Sequence, residues 1–237
     1  MKIYQRVAAA LLLVALGVGM VAPTNVEAYS SSVANAQRIM QKFGIPAGPV
    51  DGLSGSQTSR GLCIFRYIAG LTVSRNNLDS TTYSYLKKYD TSYSSLQKIR
   101  AKSSSEYLVA HETCQAMVYA SGGYYQRVMA ISTGVSEHPT PNGSYSLGYT
   151  NKGWSCSTLY PESCRNHSEG KFASVSRYGN MYNMRQVVGN IFVHGSTDVP
   201  TYPASHGCIR VTVADADWMY DHVGNGARPT ITVTGSY

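Results

Sequence analysis

The chain has 237 residues, a formal charge of +7, 14% charged side chains and 19 tyrosines. That length admits one large domain or two modest ones. The positive balance suits an anionic polymer as partner. No basic run is interleaved with aromatics, which excludes a nucleic-acid-binding surface of the usual kind.

Residues 1–28 read as a signal peptide: Lys2 and Arg6 precede an apolar run over 7–22, and Val26-Glu27-Ala28 offers a small-x-small cleavage site before Tyr29. The alternative, an uncleaved anchor, is disfavoured because the apolar run is short and ends at Pro23. No cysteine stands directly after it, so a lipid anchor is not expected. The mature chain is therefore expected to be exported, with no membrane span after cleavage.

Residues 29–91 read as a small all-α module of three helices. Val33, Ala36, Gln37, Met40 and Phe43 fall near helical spacing and Gly44 ends the run. Turn chemistry follows over 45–52 and 54–56. Leu62, Ile64, Phe65 and Ile68 mark a second helix over 57–71, and Tyr85, Leu86 and Tyr89 a third over 81–89. Residues 92–106 are polar and serine-rich and read as a linker.

A mostly β domain with one late helix is expected over 107–237. Strand-like runs at 115–120 and 124–131 are joined by the hairpin signal Ser121-Gly122-Gly123. After Ser132-Thr133-Gly134 and the turn at 138–143, strands are expected at 144–149, 172–178 and 187–193. Between them, 150–170 is a long polar excursion, too long to be left without restraint in a compact domain. Thr212 to Asp215 opens a helix, and 229–234 is a final strand.

The chemistry concentrates in 191–211, IFVHGSTDVPTYPASHGCIRV. Ile191, Phe192 and Val193 read as a buried strand ending at His194. A loop with Gly195, Pro200 and Pro203 returns the chain to Ser205-His206-Gly207-Cys208, and Ile209-Arg210-Val211 alternates like a second strand. A thiol is mostly protonated at neutral pH, and an adjacent imidazole can take that proton. Gly207 permits close backbone approach, so the N–H groups of Gly207 and Cys208 are candidate oxyanion donors. Arg210 is a candidate to hold a thiolate ionised or to bind a substrate carboxylate; a surface ion pair is its plain alternative. His206 is two residues from Cys208, where strand geometry sets side chains side by side, so a supporting role suits it better than that of base. Asp198 is a weaker candidate helper. Two competing readings are a zinc site of His194, His206 and Cys208, which lacks familiar ligand spacings, and a buried structural thiol.

Five cysteines follow the leader: Cys63, Cys114, Cys156, Cys164 and Cys208. An odd number outside the cytosol leaves one unpaired. If Cys208 stays reduced, Cys156 with Cys164 is the natural short-range pair and Cys63 with Cys114 bridges the two halves; other connectivities remain open.

His194-Gly195 followed by Ser205-His206-Gly207-Cys208-Ile209-Arg210 resembles the motif of L,D-transpeptidase (YkuD-type) catalytic domains. Ser132-Thr133-Gly134 and the Thr140-Pro141-Asn142-Gly143 turn extend the resemblance. It implies a YkuD-like sandwich, Cys208 as nucleophile, His194 as base and the Gly195 carbonyl orienting the imidazole. No metal or cofactor is implied. The substrate implied is the tetrapeptide stem of peptidoglycan, joined to an acceptor stem as a 3→3 cross-link, with acylation by carbapenems. Residues 33–42, Gly48-Pro49-Val50-Asp51-Gly52, Gly55, Thr58 and 79–86 resemble the peptidoglycan-binding repeat, departing from it at Arg66. Asp51 and Gly52 serve equally well as plain turn builders. Together the two resemblances imply a place in the cell wall, periplasm or extracellular space. Only ten residues separate His194 from Ser205, and a short connection opens the acceptor side to water. An L,D-carboxypeptidase is thus the second reading, and a non-catalytic wall-binding protein the third.

Overall fold

The computed structural model describes residues 29–157, 180–224 and 228–237. The expected signal peptide, the strand expected at 172–178, most of the polar excursion and Cys164 lie outside them.

The three expected helices form as α1 (Ser31–Lys42), α2 (Ser56–Ala69) and α3 (Ser80–Ser92). Ser30 caps α1 by accepting from the Val33 N–H, and Asp79 caps α3 by accepting from the Thr82 N–H. Each cap satisfies a donor that the first helical turn leaves unpaired. Gln37 ties α1 to the glycine-aspartate turn. Its Nε2 donates to Asp51 Oδ1 at 2.8 Å and Thr58 Oγ1 at 2.9 Å, while its Oε1 accepts from the Gly52 N–H at 2.9 Å. Arg66, at 2% exposure, donates to Thr82 Oγ1, to the carbonyls of Ser74, Asn76 and Asn77, and to Asp79 Oδ2. One guanidinium thus closes the α2–α3 connection.

The polar stretch 92–106 contributes more than a connection: Leu96, in a 3-10 turn (Leu96–Lys98), and Ile99 are both buried. They join Leu62, Phe65 and Leu86 of the helices and Val118 and Val128 of the sheet in one core. The disulfide Cys63–Cys114 fixes α2 to the sheet across a sequence separation of 51. Cys156 is also disulfide-bonded, and Cys208 is a free thiol.

The strands are β1 (Tyr107–His111), β2 (Ala116–Ser121), β3 (Tyr124–Ser132), β4 (Gly143–Ser146), β5 (Trp154–Ser155), β6 (Met181–Val188), β7 (Ile191–Ser196), β8 (Ile209–Thr212) and β9 (Thr230–Thr234). Among the described residues they form one sheet in the order β4-β9-β1-β2-β3-β8-β7-β6-β5. The expected mostly β domain with one late helix is present, its strands forming a single curled sheet. The chain leaving β4 returns to β6, with Gly148 N–H on the Gln186 carbonyl at 2.9 Å and Gln186 N–H on the Tyr149 carbonyl at 2.8 Å. These bonds turn 148 and 149 toward β6 just after Leu147, whose N–H still reaches the Pro229 carbonyl at 3.0 Å, so β4 is shorter than expected. The single strand expected at 187–193 is a hairpin, broken at Gly189, where φ is +51°.

One face of the sheet buries Leu108, Met117, Met129, Ile131, Val193, Ile209, Val211 and Ile231 against Ala216 and Met219 of α4 (Val213–His222). Thr212 caps this helix by accepting from the Asp215 N–H at 3.0 Å. No helix among the described residues is long and apolar enough to cross a membrane.

Candidate active site

β7 and β8 run parallel with His194 opposite Arg210 and Gly195 opposite Val211. The connection between them is the expected loop, and it returns Cys208 to the start of β8. His194 is 6% exposed, and its Nδ1 lies 3.1 Å from the Gly195 carbonyl oxygen. A carbonyl only accepts, so Nδ1 carries the proton and Nε2 the lone pair. Burial lowers the imidazole pKa to about 4; the bond to Gly195 opposes that shift and the Arg210 charge adds to it. The ring is neutral at neutral pH. Gly195 has no alternative residue: a Cβ there would stand 2.9 Å from Ala216 Cβ and 3.1 Å from Tyr182 Cβ.

Cys208 is half-buried, with Sγ 3.8 Å from the Asn190 carbonyl oxygen. Burial pushes the thiol pKa up, while the Phe192 N–H and the Arg210 charge pull it down; burial wins. The resting pair is therefore thiol and imidazole, not thiolate and imidazolium. Arg210 Nη1 pairs with Asp198 Oδ2 at 3.1 Å, so the carboxylate considered as a helper of the base sits on the cation.

The turn before the cysteine is held from several sides. Ser205 is buried; its Oγ donates to the Cys208 carbonyl and accepts from the Gly207 N–H at 3.2 Å. Gly207 has φ +104°, a region open to glycine at little cost. Its carbonyl accepts from Thr140 Oγ1 at 2.8 Å, and that same oxygen accepts from the Gly134 N–H at 2.9 Å. The Thr133 carbonyl accepts from the N–H groups of Ala204 and Ser205. Gln115 secures Thr133 through its N–H at 2.9 Å and its Oγ1 at 2.8 Å. His206 is exposed, with its ring 5.0 Å from that of His138. Among the described residues no three His, Cys, Asp or Glu side chains are placed to share a metal ion.

Sequence reasoning missed Gln115, Thr140 and His138. Thr140 stood in a noticed turn between Pro139 and Pro141, but that its hydroxyl is buried shows only in the structure. Gln115 read as the first residue of a strand; nothing local announced its φ of +50° or its inward side chain.

The sequence profile of the YkuD L,D-transpeptidase catalytic domain matches residues 105–233. No curated protein sequence matches. Among solved structures, an L,D-transpeptidase from Xylanimonas cellulosilytica is 24% identical, with a TM-score of 0.54 over 88% of this chain and 95% of that one. One from Stackebrandtia nassauensis is 14% identical, with a TM-score of 0.48 over 88% and 93%. One from Mycobacterium smegmatis is 20% identical, with a TM-score of 0.42 over 55% and 58%. With more than half of its length matching that profile, the chain belongs to the YkuD family of L,D-transpeptidase catalytic domains.

Proposed function

We propose that this protein is an exported L,D-transpeptidase that forms 3→3 cross-links in peptidoglycan, with Cys208 as nucleophile and His194 as general base. The observation that carries the reading is the His194 Nδ1–Gly195 carbonyl bond on β7, beside the strand that Cys208 leads into. It leaves Nε2 free to accept a proton without any carboxylate in the arrangement.

Cys208 Sγ attacks the carbonyl of the third residue of a tetrapeptide stem while its proton passes to His194 Nε2. The N–H groups of Cys208 and Gly207 receive the oxyanion, Gly207 exchanging its bond to Ser205 Oγ for it. The imidazolium returns the proton to the departing amine of D-alanine, and a thioester remains. An acceptor amine, deprotonated by His194, attacks the thioester; the amide forms and the thiol is restored. Carbapenems acylate the same sulfur. Ser205 holds the turn, and His206 borders the pocket.

The helical module is proposed to bind peptidoglycan. The Gln37 network uses Asp51, Gly52 and Thr58 to build the turn, so glycan contacts fall to neighbouring surface groups. Export is supported by the Cys63–Cys114 disulfide, a bond that persists in oxidising compartments.

The test is incubation of the mature chain with a disaccharide-tetrapeptide, read by mass spectrometry, with Cys208→Ala as control. A dimer lacking one D-alanine establishes transpeptidation. Tripeptide alone makes the protein a carboxypeptidase, and unchanged substrate at all donor concentrations overturns both.

A further inference from the structure

Two arginines of the helical module end on the loop that joins His194 to Cys208. Arg60 Nη2 donates to the Pro200 carbonyl, and Arg75 Nη1 donates to the Thr201 carbonyl at 2.6 Å. Arg75 also reaches the Ser56 carbonyl at 3.3 Å and lies 5.1 Å from the centre of the Tyr237 ring. Arg60 is 4% exposed, and its Nε has no hydrogen-bond partner. A guanidinium is costly to bury unless its donors are satisfied, and an apolar side chain would fill that position with less loss. What the arginine adds is reach to one carbonyl of the loop, through a charge-assisted bond.

The sheet side holds the next residues of the same loop. Ser132 Oγ donates to the Tyr202 carbonyl at 2.7 Å, and the Thr133 carbonyl takes the N–H groups of Ala204 and Ser205. The loop backbone is thus gripped at 200 and 201 by the module and at 202, 204 and 205 by the sheet. Asp198, just ahead of the first grip, makes the ion pair with Arg210, and Arg210 is the charged group that acts on the thiol.

We propose that Arg60 and Arg75 are positioning residues for acyl transfer: the helical module grips the loop backbone and thereby keeps Asp198 on Arg210 and Cys208 in its place. The inference rests on Cys208 being the nucleophile. It makes the module part of the active-site scaffold, whatever it contributes to wall binding.

The test compares Arg60→Met, Arg75→Met and Arg60→Lys in the full mature chain. One readout is Cys208 alkylation by iodoacetamide across pH, which needs no substrate. The other is kcat and KM for the tetrapeptide donor. Both methionine variants are expected to lose about tenfold in kcat with little change in KM, the pattern of a misplaced reacting group. Their alkylation midpoints are expected to move to lower pH, because an Arg210 released from Asp198 acts on the thiol uncompensated. Arg60→Lys, which reaches one carbonyl, recovers most of kcat. Folded methionine variants with wild-type kcat and alkylation profile overturn the proposal. If Arg60→Met does not fold, the half-buried Arg75 decides alone. If the wild type forms no acyl-enzyme, the functional reading fails, and the alkylation profiles still settle the grip.

Discussion

His194 donates from Nδ1 to the carbonyl of its own neighbour, Gly195, at 3.1 Å. A residue that follows this imidazole in sequence thus does the orienting that a carboxylate performs in other nucleophile–imidazole sites. Orientation comes without an added negative charge, so the Gly195 bond offsets burial only in part, and the imidazole stays neutral down to about pH 4.

The first prediction concerns the resting state of Cys208. Because burial raises the thiol above its ordinary value of 9.0, half-maximal alkylation by iodoacetamide is expected above pH 9. Arg210→Met removes the cation that lowers it and is expected to move the midpoint further up. Acylation by substrate, in contrast, is expected to be flat from about pH 5 to pH 8, since a neutral base removes the proton during attack. An alkylation midpoint near neutrality in the wild type would mean a preformed thiolate and would overturn this account.

The choice of base is tested by a pair of substitutions. His194→Ala is expected to lower the acylation rate by about a thousandfold, within the range a general base contributes. His206→Ala removes an exposed ring that packs on His138 at 5.0 Å, and is expected to stay within about tenfold of wild type. Stopped-flow acylation by a carbapenem measures both. The reverse ranking would transfer the role of base to His206.

How much of this was legible follows from how local each signal was. Helices α1 to α3 announced themselves through apolar spacing and, for α1, the closing Gly44, since those signals lie within a few residues of one another; the Asp79 cap of α3 is seen only in the structure. His194 and Cys208 drew notice for a different reason, since they sit in a rare string of residues; counting thiols offered Cys63–Cys114 only as one of several connectivities, and the structure selects it. The curl of the sheet was not legible. It depends on Gln186 exchanging backbone bonds with 148 and 149, a pairing between segments with no mark in either. Leu96 and Ile99 were hidden by their serine-rich surroundings, because average polarity does not reveal which two side chains turn inward. The Arg60 and Arg75 contacts with 200 and 201 span more than a hundred residues and end on backbone carbonyls, which every residue carries.

Stability should depend on pH through two groups of opposite sign. His194 titrates at about 4 when folded against 6.5 ordinarily. Its contribution is complete above pH 6.5 and is lost as pH falls toward 4, where the unfolded chain binds the extra proton. Glu112 is pushed by burial from 4.5 up to about 7. Its contribution is complete below pH 4.5 and is lost as pH rises toward 7, because only the folded chain still holds the proton. Between pH 4.5 and 6.5 the two oppose each other. His111, also held below its ordinary value by burial, acts in the direction of His194, so urea midpoints across that window are expected to rise more steeply with pH in Glu112→Gln than in the wild type and less steeply in His194→Asn. Parallel slopes in all three proteins would remove both assignments.

Gly134 and Gly44 separate the demands of the site from those of the chain. A Cβ on Gly134 would stand 2.8 Å from the Thr140 N and 2.9 Å from the Gly207 Cα, with the His138 carbonyl closer still. All three are backbone atoms, so the turn that carries Gly207 must move. Gly44 has open space around it and only its φ of +66° to constrain it. Gly44→Ala is therefore expected to cost about 1 kcal/mol of stability through backbone strain and to leave acylation unchanged. Gly134→Ala is expected to cost about 2 to 3 kcal/mol by overpacking. It should also lower the acylation rate by about a hundredfold, since a shift on the order of 1 Å in the Cys208 turn is enough for that. Urea denaturation gives the first quantity and carbapenem adduct formation, followed by mass spectrometry, the second. A Gly134→Ala protein that acylates at the wild-type rate would show that the Gly134–Thr140–Gly207 contacts do not position the nucleophile.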